Sequence, residues 1–276
     1  MFLGDFRIEI IPDTEFRLDG GAMFGVVPRI LWEKVCAPDE LNRIQMQTNC
    51  LFVETPNERI LIETGMGEKW MKKQSKIYGV NRIQPLAETL FERTNYRPED
   101  ITIVVNTHLH FDHCGGNTIK TEAGEIVPQF PNARYFVSQK EFNHAENPYE
   151  RDRASYISDN WKAAGDTGQL ELKPSVYEVA NGITMTEMRG HNGTMQTVKI
   201  ESNGETLYSF SDLIPTQTHI PLAWIMGYDL YPLETLENKK RLLPQAVEGD
   251  WLCWFYHDFN APLCRLTEED GKIKTK

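Results

Sequence analysis

Short runs of apolar and β-branched residues alternate with amphipathic stretches along this chain, and turn residues separate most of them. Runs of about four to eight such residues bounded by Gly, Pro or Asn are typical of strands, whereas apolar residues at spacings of three and four are typical of helices. The predicted strands are, in chain order, residues 49–54, 59–63, 101–105, 134–137, 178–188, 197–200, 205–210, 251–256 and 262–266. The predicted helices are residues 85–93, a helix that Ser138 and Glu141 begin as a capping box, and residues 233–247 with a kink or break at Pro244.

This order of elements predicts an α/β fold of the sandwich type, in which helices cover sheets and do not form a bundle of their own. The sequence shows no internal repeat and no linker rich in Pro or Ser. With 276 residues and 40% hydrophobic content, the chain can bury one substantial core. We therefore expect a single domain over residues 1–276.

The net charge of -11, from 29 basic and 40 acidic residues, narrows the candidate partners. An acidic surface repels the phosphate backbone of nucleic acids and anionic lipid. Asp5, Arg7 and Glu9 interrupt the N-terminal residues where a secretory signal needs an unbroken apolar segment, and no stretch approaches the roughly 18 apolar residues of a membrane-spanning helix. We expect a cytoplasmic protein with no nucleic-acid or membrane partner.

The five cysteines are scattered and never form a C-x-x-C pair. Neither a disulfide framework nor a thiolate zinc site is therefore indicated. Cys114 directly follows a histidine-rich segment. We expect it to pack as a small buried residue, and a position near a metal is the alternative.

Residues 107–113, Thr-His-Leu-His-Phe-Asp-His, contain three histidines and one aspartate shortly after a predicted strand. Burying so many polar nitrogens and oxygens is costly unless each has a partner, and metal ions supply such partners together. Loops at strand ends are also where rigid sheets present reactive groups. A hydrated polar loop is the alternative. The candidate ligands of two metal ions in this segment are His108, His110, Asp112 and His113.

Three further residues stand just after predicted strands and could reach the same site. His191 lies between Gly190 and Gly193, which allow the backbone to bend closely around an imidazole. Asp212 and His257 each follow an apolar run. Taken singly, each has an ordinary alternative as a hydrogen-bonded core histidine or a surface aspartate.

Taken in order, the motif H-x-H-x-D-H followed by His, Asp and His resembles the metallo-β-lactamase superfamily, over residues 108–257. Within it the chain is similar to the branch of quorum-quenching N-acyl-homoserine lactonases and methyl parathion hydrolase. The resemblance implies a four-layer αβ/βα sandwich of two mixed sheets between helices. It also implies two divalent metal ions per chain, with zinc expected and iron, manganese or cobalt as alternatives. The implied roles are that His108, His110 and His191 bind the first metal, Asp112, His113 and His257 bind the second, and Asp212 bridges both.

Two adjacent cations lower the pKa of a shared water toward neutrality, so such a site makes its own hydroxide nucleophile. The G-x-S-x-G element of serine hydrolases is absent. We expect attack of the hydroxide on the carbonyl of a lactone similar to N-acyl-homoserine lactone, with Asp112 returning the proton to the leaving oxygen. An arylesterase or phosphotriesterase of the same branch, and an iron-dependent redox member of the superfamily, are the alternatives. Classical β-lactam-hydrolysing enzymes lack the carboxylate of Asp212, which argues against that activity.

Studied lactonases of this branch carry a tyrosine three residues after the bridging aspartate, where this chain has Pro215. Another group must therefore assist the oxyanion, and Tyr228 and Tyr231 are the candidates. The expected partner is a small lactone or ester, and a homodimer stays open. The candidate substrate-binding residues are Met23, Phe24, Trp224 and Tyr228, with core packing as the alternative for each.

Three other residues have expected roles outside the set of candidate ligands. Glu63 is a candidate carboxylate partner for a ligand histidine. We expect His144 to be solvated on a polar helix. His219 is expected to play an ordinary packing role, with a contact to a ligand residue or to substrate as the alternative.

Overall fold

Two β-sheets packed face to face form the centre of the structure, a computed structural model that describes residues 1–276. The strands are β1 (Phe2–Leu3), β2 (Phe6–Asp19), β3 (Arg43–Glu54), β4 (Arg59–Ile62), β5 (Ile103–Val105), β6 (Thr118–Lys120), β7 (Ile126–Pro128), β8 (Arg134–Ser138), β9 (Leu170–Lys173), β10 (Val176–Ala180), β11 (Ile183–Glu187), β12 (Gln196–Ser202), β13 (Glu205–Ser209), β14 (Leu252–Trp254), β15 (Leu263–Cys264), β16 (Leu266–Glu269) and β17 (Lys272–Thr275). The α-helices are α1 (Gly20–Phe24), α2 (Arg29–Trp32), α3 (Lys72–Ile77), α4 (Leu86–Thr94), α5 (Phe111–Cys114), α6 (Gln139–Glu146), α7 (Lys162–Asp166) and α8 (Pro232–Glu248).

Both sheets mix parallel and antiparallel pairs, which confirms the predicted fold class. The first sheet has the strand order β1-β2-β3-β4-β5-β8-β9, antiparallel from β1 to β4 and parallel from β4 to β9. The second has the order β10-β11-β12-β13-β14-β15, in which only β13 and β14 pair in parallel. Two separate hairpins, β6 with β7 and β16 with β17, complete the strands.

The main apolar core lies between the two sheets. Leu51 and Val104 of the first sheet and Val198 and Leu207 of the second are fully buried in one cluster. β5 is apolar at all three positions and lies between two parallel neighbours, as expected of a strand buried on both faces. On the outside, α4 packs against β2, and the apolar face of α8 packs against β13 and β14. The order of layers is helix, sheet, sheet, helix.

Among the predicted strands, the first hairpin is confirmed and one long strand is wrong. The hairpin near the N-terminal end is confirmed, because β3 and β4 pair antiparallel from Leu51 with Ile62 to Glu54 with Arg59. The single strand predicted over residues 178–188 is wrong. Ala180 pairs with Ile183 across a tight turn at Asn181-Gly182, a sequence typical of hairpins, so two strands stand where one was expected.

Two helix predictions also need correction. Ser138 does cap α6, since its hydroxyl accepts a hydrogen bond from the Glu141 N–H at 3.0 Å. The Glu141 carboxylate does not return that bond to the cap and binds elsewhere. Of the kink or break predicted at Pro244, the break is wrong, because α8 continues through Pro244 to Glu248. None of the helices has the length and apolar character needed to cross a membrane.

Candidate metal centre

Strand ends bring the seven candidate ligands together. β11, β13 and β14 run in the same direction, because β12 is antiparallel to both β11 and β13, and β13 is parallel to β14. Their carboxyl ends therefore share one edge, where His191, Asp212 and His257 follow them. The segment after β5 meets this edge through a hydrogen bond from the Gln196 N–H to the Thr107 carbonyl at 3.0 Å. All seven residues are buried, and none is more than 7% exposed.

The first cluster contains three imidazoles. His108, His110 and His191 each offer a nitrogen, and these atoms lie within 4.8 Å of one another. His191 Nε2 is 3.1 Å from His110 Nδ1 and 3.6 Å from Asp212 Oδ2. One oxygen of Asp212 therefore faces this cluster.

The second cluster contains two imidazoles and one carboxylate. His257 Nε2 lies 3.2 Å from His113 Nε2 and 3.6 Å from Asp112 Oδ2. The other oxygen of Asp212, Oδ1, lies 3.3 Å from His113 Nε2 and 3.4 Å from His257 Nε2. Asp212 thus stands between the two clusters with one oxygen toward each.

Hydrogen-bond partners outside the clusters fix which imidazole nitrogens carry protons. His257 Nδ1 lies 3.1 Å from the Gln47 carbonyl, which can only accept, so Nδ1 carries the proton and Nε2 presents a lone pair. His113 Nδ1 lies 3.1 Å from Glu63 Oε1, and a carboxylate likewise orients Nε2 as a lone pair. When both imidazoles are neutral, two lone pairs therefore face each other at 3.2 Å in the second cluster.

Hydrogen-bond partners also orient the His191 imidazole of the first cluster. His191 Nδ1 lies 3.1 Å from Asp229 Oδ1, and the Thr235 hydroxyl donates to Asp229 Oδ2 at 2.6 Å. His191 Nε2 is thus turned toward His110 as a lone pair. His108 Nε2 and Asp212 Oδ1 are buried and have no hydrogen-bond partner. Opposed lone pairs and orphaned acceptors need a positive charge between them, so these residues fit divalent cations.

The pKa values of the clustered groups respond to the same electrostatics. Burial, together with the neighbouring imidazoles, holds the pKa of His108 and His110 well below the usual value. Burial alone would raise the pKa of the Asp212 carboxyl, but His113 and His257 outweigh it and hold that pKa well below its ordinary value. Burial would lower the pKa of His113, but Asp212 and Glu63 outweigh it and raise that pKa well above its usual value. The site therefore favours an ionised Asp212 carboxylate with positive charge beside it, a charge that a bound cation would supply.

Two residues beside the clusters have left-handed backbone conformations, which non-glycine residues rarely adopt. Ser211, directly before Asp212, has φ of +49°, and Glu63 has φ of +63°. The Thr107 hydroxyl holds both, since it bonds to a Glu63 carboxylate oxygen and lies 2.8 Å from Ser211 Oγ. It also lies 3.0 Å from His108 Nδ1. Strained backbone is thus held in place next to the candidate ligands, as is common at functional sites.

A cavity of about 190 Å³ opens over both clusters. Its wall includes His110, Asp112, His191, Asp212 and His257. Two of the four candidate substrate-binding residues, Met23 and Tyr228, line it. The apolar part of the wall also contains Leu18, Met46, Tyr78, Phe111 and Met226.

Neither Phe24 nor Trp224 lies in the cavity wall, since Phe24 is in the core and the partly buried Trp224 packs against it. The Phe24 ring is fully buried and stacks between Trp32, at 5.2 Å, and His219, at 4.8 Å. Trp224 packs edge-on against Phe24 at 5.5 Å. His219 also lies 2.7 Å from the Thr216 hydroxyl, and its burial lowers the pKa to about 4. This stack joins α1 to the segment after β13, so packing explains these residues.

His144 was predicted to be solvated, and this prediction is wrong. Its Nε2 lies 2.7 Å from Asp152 Oδ2, and its ring packs against Tyr149 and Tyr156. Cys114 packs in a small apolar cluster with Leu109 and Trp161. Tyr231 lies under the Arg189 guanidinium, 4.0 Å from the ring centre, and does not line the cavity.

Sequence reasoning missed three residues that support the clusters. Glu141 accepts from the Leu109 N–H at 2.8 Å, between His108 and His110. Its other oxygen accepts from the Asn192 amide at 3.2 Å and from the Thr194 hydroxyl. Asp229 and Tyr156 contact His191 and His110, respectively. Only the helix-cap pattern at Glu141 gave a signal in the sequence, and it suggested a different role.

Comparison with known proteins identifies the family. The model of the metallo-β-lactamase superfamily matches residues 43–239, and the chain belongs to this superfamily. An N-acyl homoserine lactonase of Bacillus cereus is 27% identical over 233 residues, which cover 79% of this chain and 83% of that relative. The chain is thus a metal-dependent hydrolase of the superfamily, related to N-acyl homoserine lactonases.

Solved structures agree with this assignment. A probable metal-dependent hydrolase from Staphylococcus aureus matches with a TM-score of 0.91 and 31% identity, covering 100% of this chain and 99% of that one. AidC, a dizinc quorum-quenching lactonase in complex with the product N-hexanoyl-L-homoserine, matches with a TM-score of 0.80 and 20% identity, covering 100% and 95%. The second similarity shows the shared fold.

Proposed function

We propose that this protein is a dinuclear hydrolase that opens the ring of a lactone similar to N-acyl-homoserine lactone. The observation that carries the proposal is the position of Asp212, whose two oxygens face two separate clusters of buried ligand-type atoms. A single metal would need only one of these clusters. The relationship to N-acyl homoserine lactonases supports the choice of a lactone.

Each proposed ion would have its own set of protein atoms. His108, His110 and His191 would hold one, and Asp112, His113 and His257 the other, with Asp212 shared. Nitrogen and oxygen ligands of this kind suit zinc, and iron, manganese or cobalt can also occupy them. Divalent cations bound there would supply a Lewis acid for the substrate carbonyl and a water deprotonated at neutral pH.

The chain's own residues would handle protons and orient the substrate. Asp112 lines the cavity, so its carboxylate could accept the proton of the attacking water and return it to the ring oxygen when the carbon–oxygen bond breaks. The Asp112 carbonyl accepts a hydrogen bond from the Tyr256 hydroxyl at 2.6 Å, which fixes the backbone at this position. Tyr228 also lines the cavity, and although the residue is 41% exposed, its partial desolvation raises its pKa to about 12. Its hydroxyl therefore keeps its proton at neutral pH and could donate to the developing oxyanion.

The test is an anaerobic assay of the metal-loaded protein with N-hexanoyl-homoserine lactone, an aryl ester and a phosphotriester, followed by release of acid. We expect the lactone to be opened fastest and Asp112→Asn to lose most of that activity. Asp166→Asn, at a largely exposed aspartate far along the chain, is the matched control and should be unaffected. Turnover of the aryl ester or phosphotriester with none of the lactone would replace the proposed substrate. Oxygen consumption with a thiol substrate, and no hydrolysis, would contradict the hydrolase.

A further inference from the structure

A β-bulge in β2 places a buried ion pair behind the second cluster. Between two regular pairs of β2 with β3, the two residues Asp13 and Thr14 stand opposite the single residue Thr48. Bulges change the direction of side chains and are common next to active sites. The Asp13 side chain is fully buried, and its Oδ1 lies 3.0 Å from the Arg82 guanidinium. Since a buried ion pair often adds little net stability, its hydrogen bonds to the surrounding backbone indicate its role.

On one side, this ion pair holds the loop that follows β4. Asp13 Oδ2 accepts a hydrogen bond from the Met66 N–H at 2.9 Å, and Arg82 Nη2 donates to the Gly67 carbonyl at 2.6 Å. Gly65 has φ of +70°, and a Cβ at this position would clash with the Asp13 carboxylate. The loop is therefore packed directly against Asp13, and only glycine fits at the point of contact.

The opposite side of the same loop contacts α5, which carries His113. The Thr64 N–H donates to the His113 carbonyl at 2.8 Å, and the Gly115 N–H donates to the Gly65 carbonyl at 2.8 Å. A Cβ at Gly67 would clash with the Gly115 carbonyl. The loop thus fills the space between Asp13 and the end of α5. A shift of the Asp13 carboxylate would therefore move the backbone of a candidate ligand.

On its other side, Asp13 is linked to the residue that orients His257. Thr48 Oγ1 lies 3.4 Å from Asp13 Oδ2 and accepts from the Thr14 N–H at 3.0 Å. The preceding residue, Gln47, supplies the carbonyl that accepts from His257 Nδ1 at 3.1 Å. The Gln47 N–H also donates to the His257 carbonyl at 3.3 Å. The bulge therefore fixes β3 at the point where it aligns the His257 imidazole.

We propose that Asp13 is a positioning residue for the second cluster, because it holds the two backbone segments that contact His113 and His257. The first cluster has other supports, such as Asp229 beside His191. The inference rests on the proposed dinuclear centre. Loss of Asp13 should therefore weaken the binding of one ion and leave the binding of the other nearly unchanged. A general loss of stability would not separate the two ions in this way.

The experiment compares two double variants that remove both buried charges, because an unpaired Arg82 could prevent folding. Asp13→Ala with Arg82→Met lacks both side-chain bonds to the loop, whereas Asp13→Asn with Arg82→Met keeps an oxygen that can accept from the Met66 N–H. Titration of the metal-free proteins with Zn²⁺ against a chromophoric chelator gives a dissociation constant for each ion. In the alanine variant we expect one constant to rise about 10- to 100-fold and the other to stay within about 3-fold of wild type. In the asparagine variant both should stay within about 3-fold.

Ile200→Ala is the matched control, because it truncates a fully buried side chain in the core between the two sheets. It should lower the melting temperature and keep both dissociation constants. An alanine variant that weakens both ions equally, or neither, would overturn the proposal. An equal loss in the asparagine variant would also overturn it, since the hydrogen bond to Met66 would then have no effect.

Nuclear magnetic resonance of the metal-free proteins separates this proposal from the proposed function. Imidazole nitrogen chemical shifts report which nitrogen carries the proton, and His257 of wild type should be protonated at Nδ1, facing the Gln47 carbonyl. The alanine variant should lose that single tautomer at His257, while His191 keeps its own. If wild type binds only one ion, the proposed dinuclear function is wrong, and the His257 tautomer still tests Asp13. An unchanged His257 in the alanine variant would contradict the role of Asp13 in either case.

Discussion

Replacing Glu141 by glutamine tests whether a single buried side chain ties the two ligand-bearing loops together. Glu141 lies on α6 and is fully buried. Its carboxylate accepts from the Leu109 N–H on one side and from Asn192 and Thr194 on the other. Glutamine keeps one acceptor for Leu109, but its amide nitrogen is a donor and would face the Asn192 amide, also a donor.

The cost follows from the fixed orientation of Asn192. Its carbonyl oxygen already accepts from the Thr194 N–H at 2.9 Å, so the amide cannot turn over to relieve the conflict. The loss of one hydrogen bond to a buried charge is worth about 2 to 3 kcal/mol. For a chain approaching this size, each kcal/mol lowers the melting temperature by about 2 to 4 °C. We therefore expect Glu141→Gln to melt about 4 to 12 °C below wild type.

The same substitution should weaken the first cluster, because Leu109 stands between His108 and His110 and Asn192 follows His191. Outer hydrogen-bond partners of metal ligands typically account for about 10- to 100-fold in affinity. Calorimetric melting and competition with a chromophoric chelator measure both effects. Glu237→Gln, at an exposed glutamate of α8, is the control and should match wild type in both. If Glu141→Gln also matches wild type in melting temperature and metal affinity, the coupling of the loops through Glu141 is wrong.

Three further substitutions have defined outcomes. Asp229→Ala removes the acceptor that orients the His191 imidazole and should weaken metal binding about 10- to 100-fold in the chelator assay, and unchanged affinity would contradict that role. His219 has a pKa of about 4 in the folded protein and of about 6.5 in the unfolded chain. Between these two pH values the unfolded state binds more protons, so the free energy of unfolding falls by about 3 kcal/mol as the pH drops from 6.5 to 4. Denaturant titrations of His219→Gln should lack that part of the loss, and an identical pH dependence would refute the assignment. Tyr228→Phe should lower kcat for lactone opening by about 10- to 100-fold with little change in KM, whereas a change confined to KM would argue for a binding role instead.

Much of the fold could be predicted because apolar runs and turn residues mark strands locally. The buried strand β5 and the first hairpin follow directly from this pattern. The single strand predicted over residues 178–188 is in fact two, because Asn181-Gly182 forms a two-residue turn between two alternating segments. The sequence alone also did not reveal β2, whose pairing with β3 shifts register between Pro12 and Glu15.

The candidate ligands could be predicted because they follow strands whose ends meet at one edge, so order along the chain carries the information. Their supporting residues could not. Asp229 is 38 positions from His191 and becomes its partner only through tertiary packing. The sequence also could not tell Met23, in the cavity wall, from Phe24, in the core, since neighbouring apolar residues of α1 face different surroundings.

The proposed reaction depends on Asp212 joining two metal ions in one active site. Native mass spectrometry of the active protein, with parallel lactone assays, measures this directly. We expect two divalent ions per chain in wild type, and Asp212→Ala should lose bound metal and activity together. Full activity with one ion per chain, or activity that survives complete removal of metal, would contradict the dinuclear site.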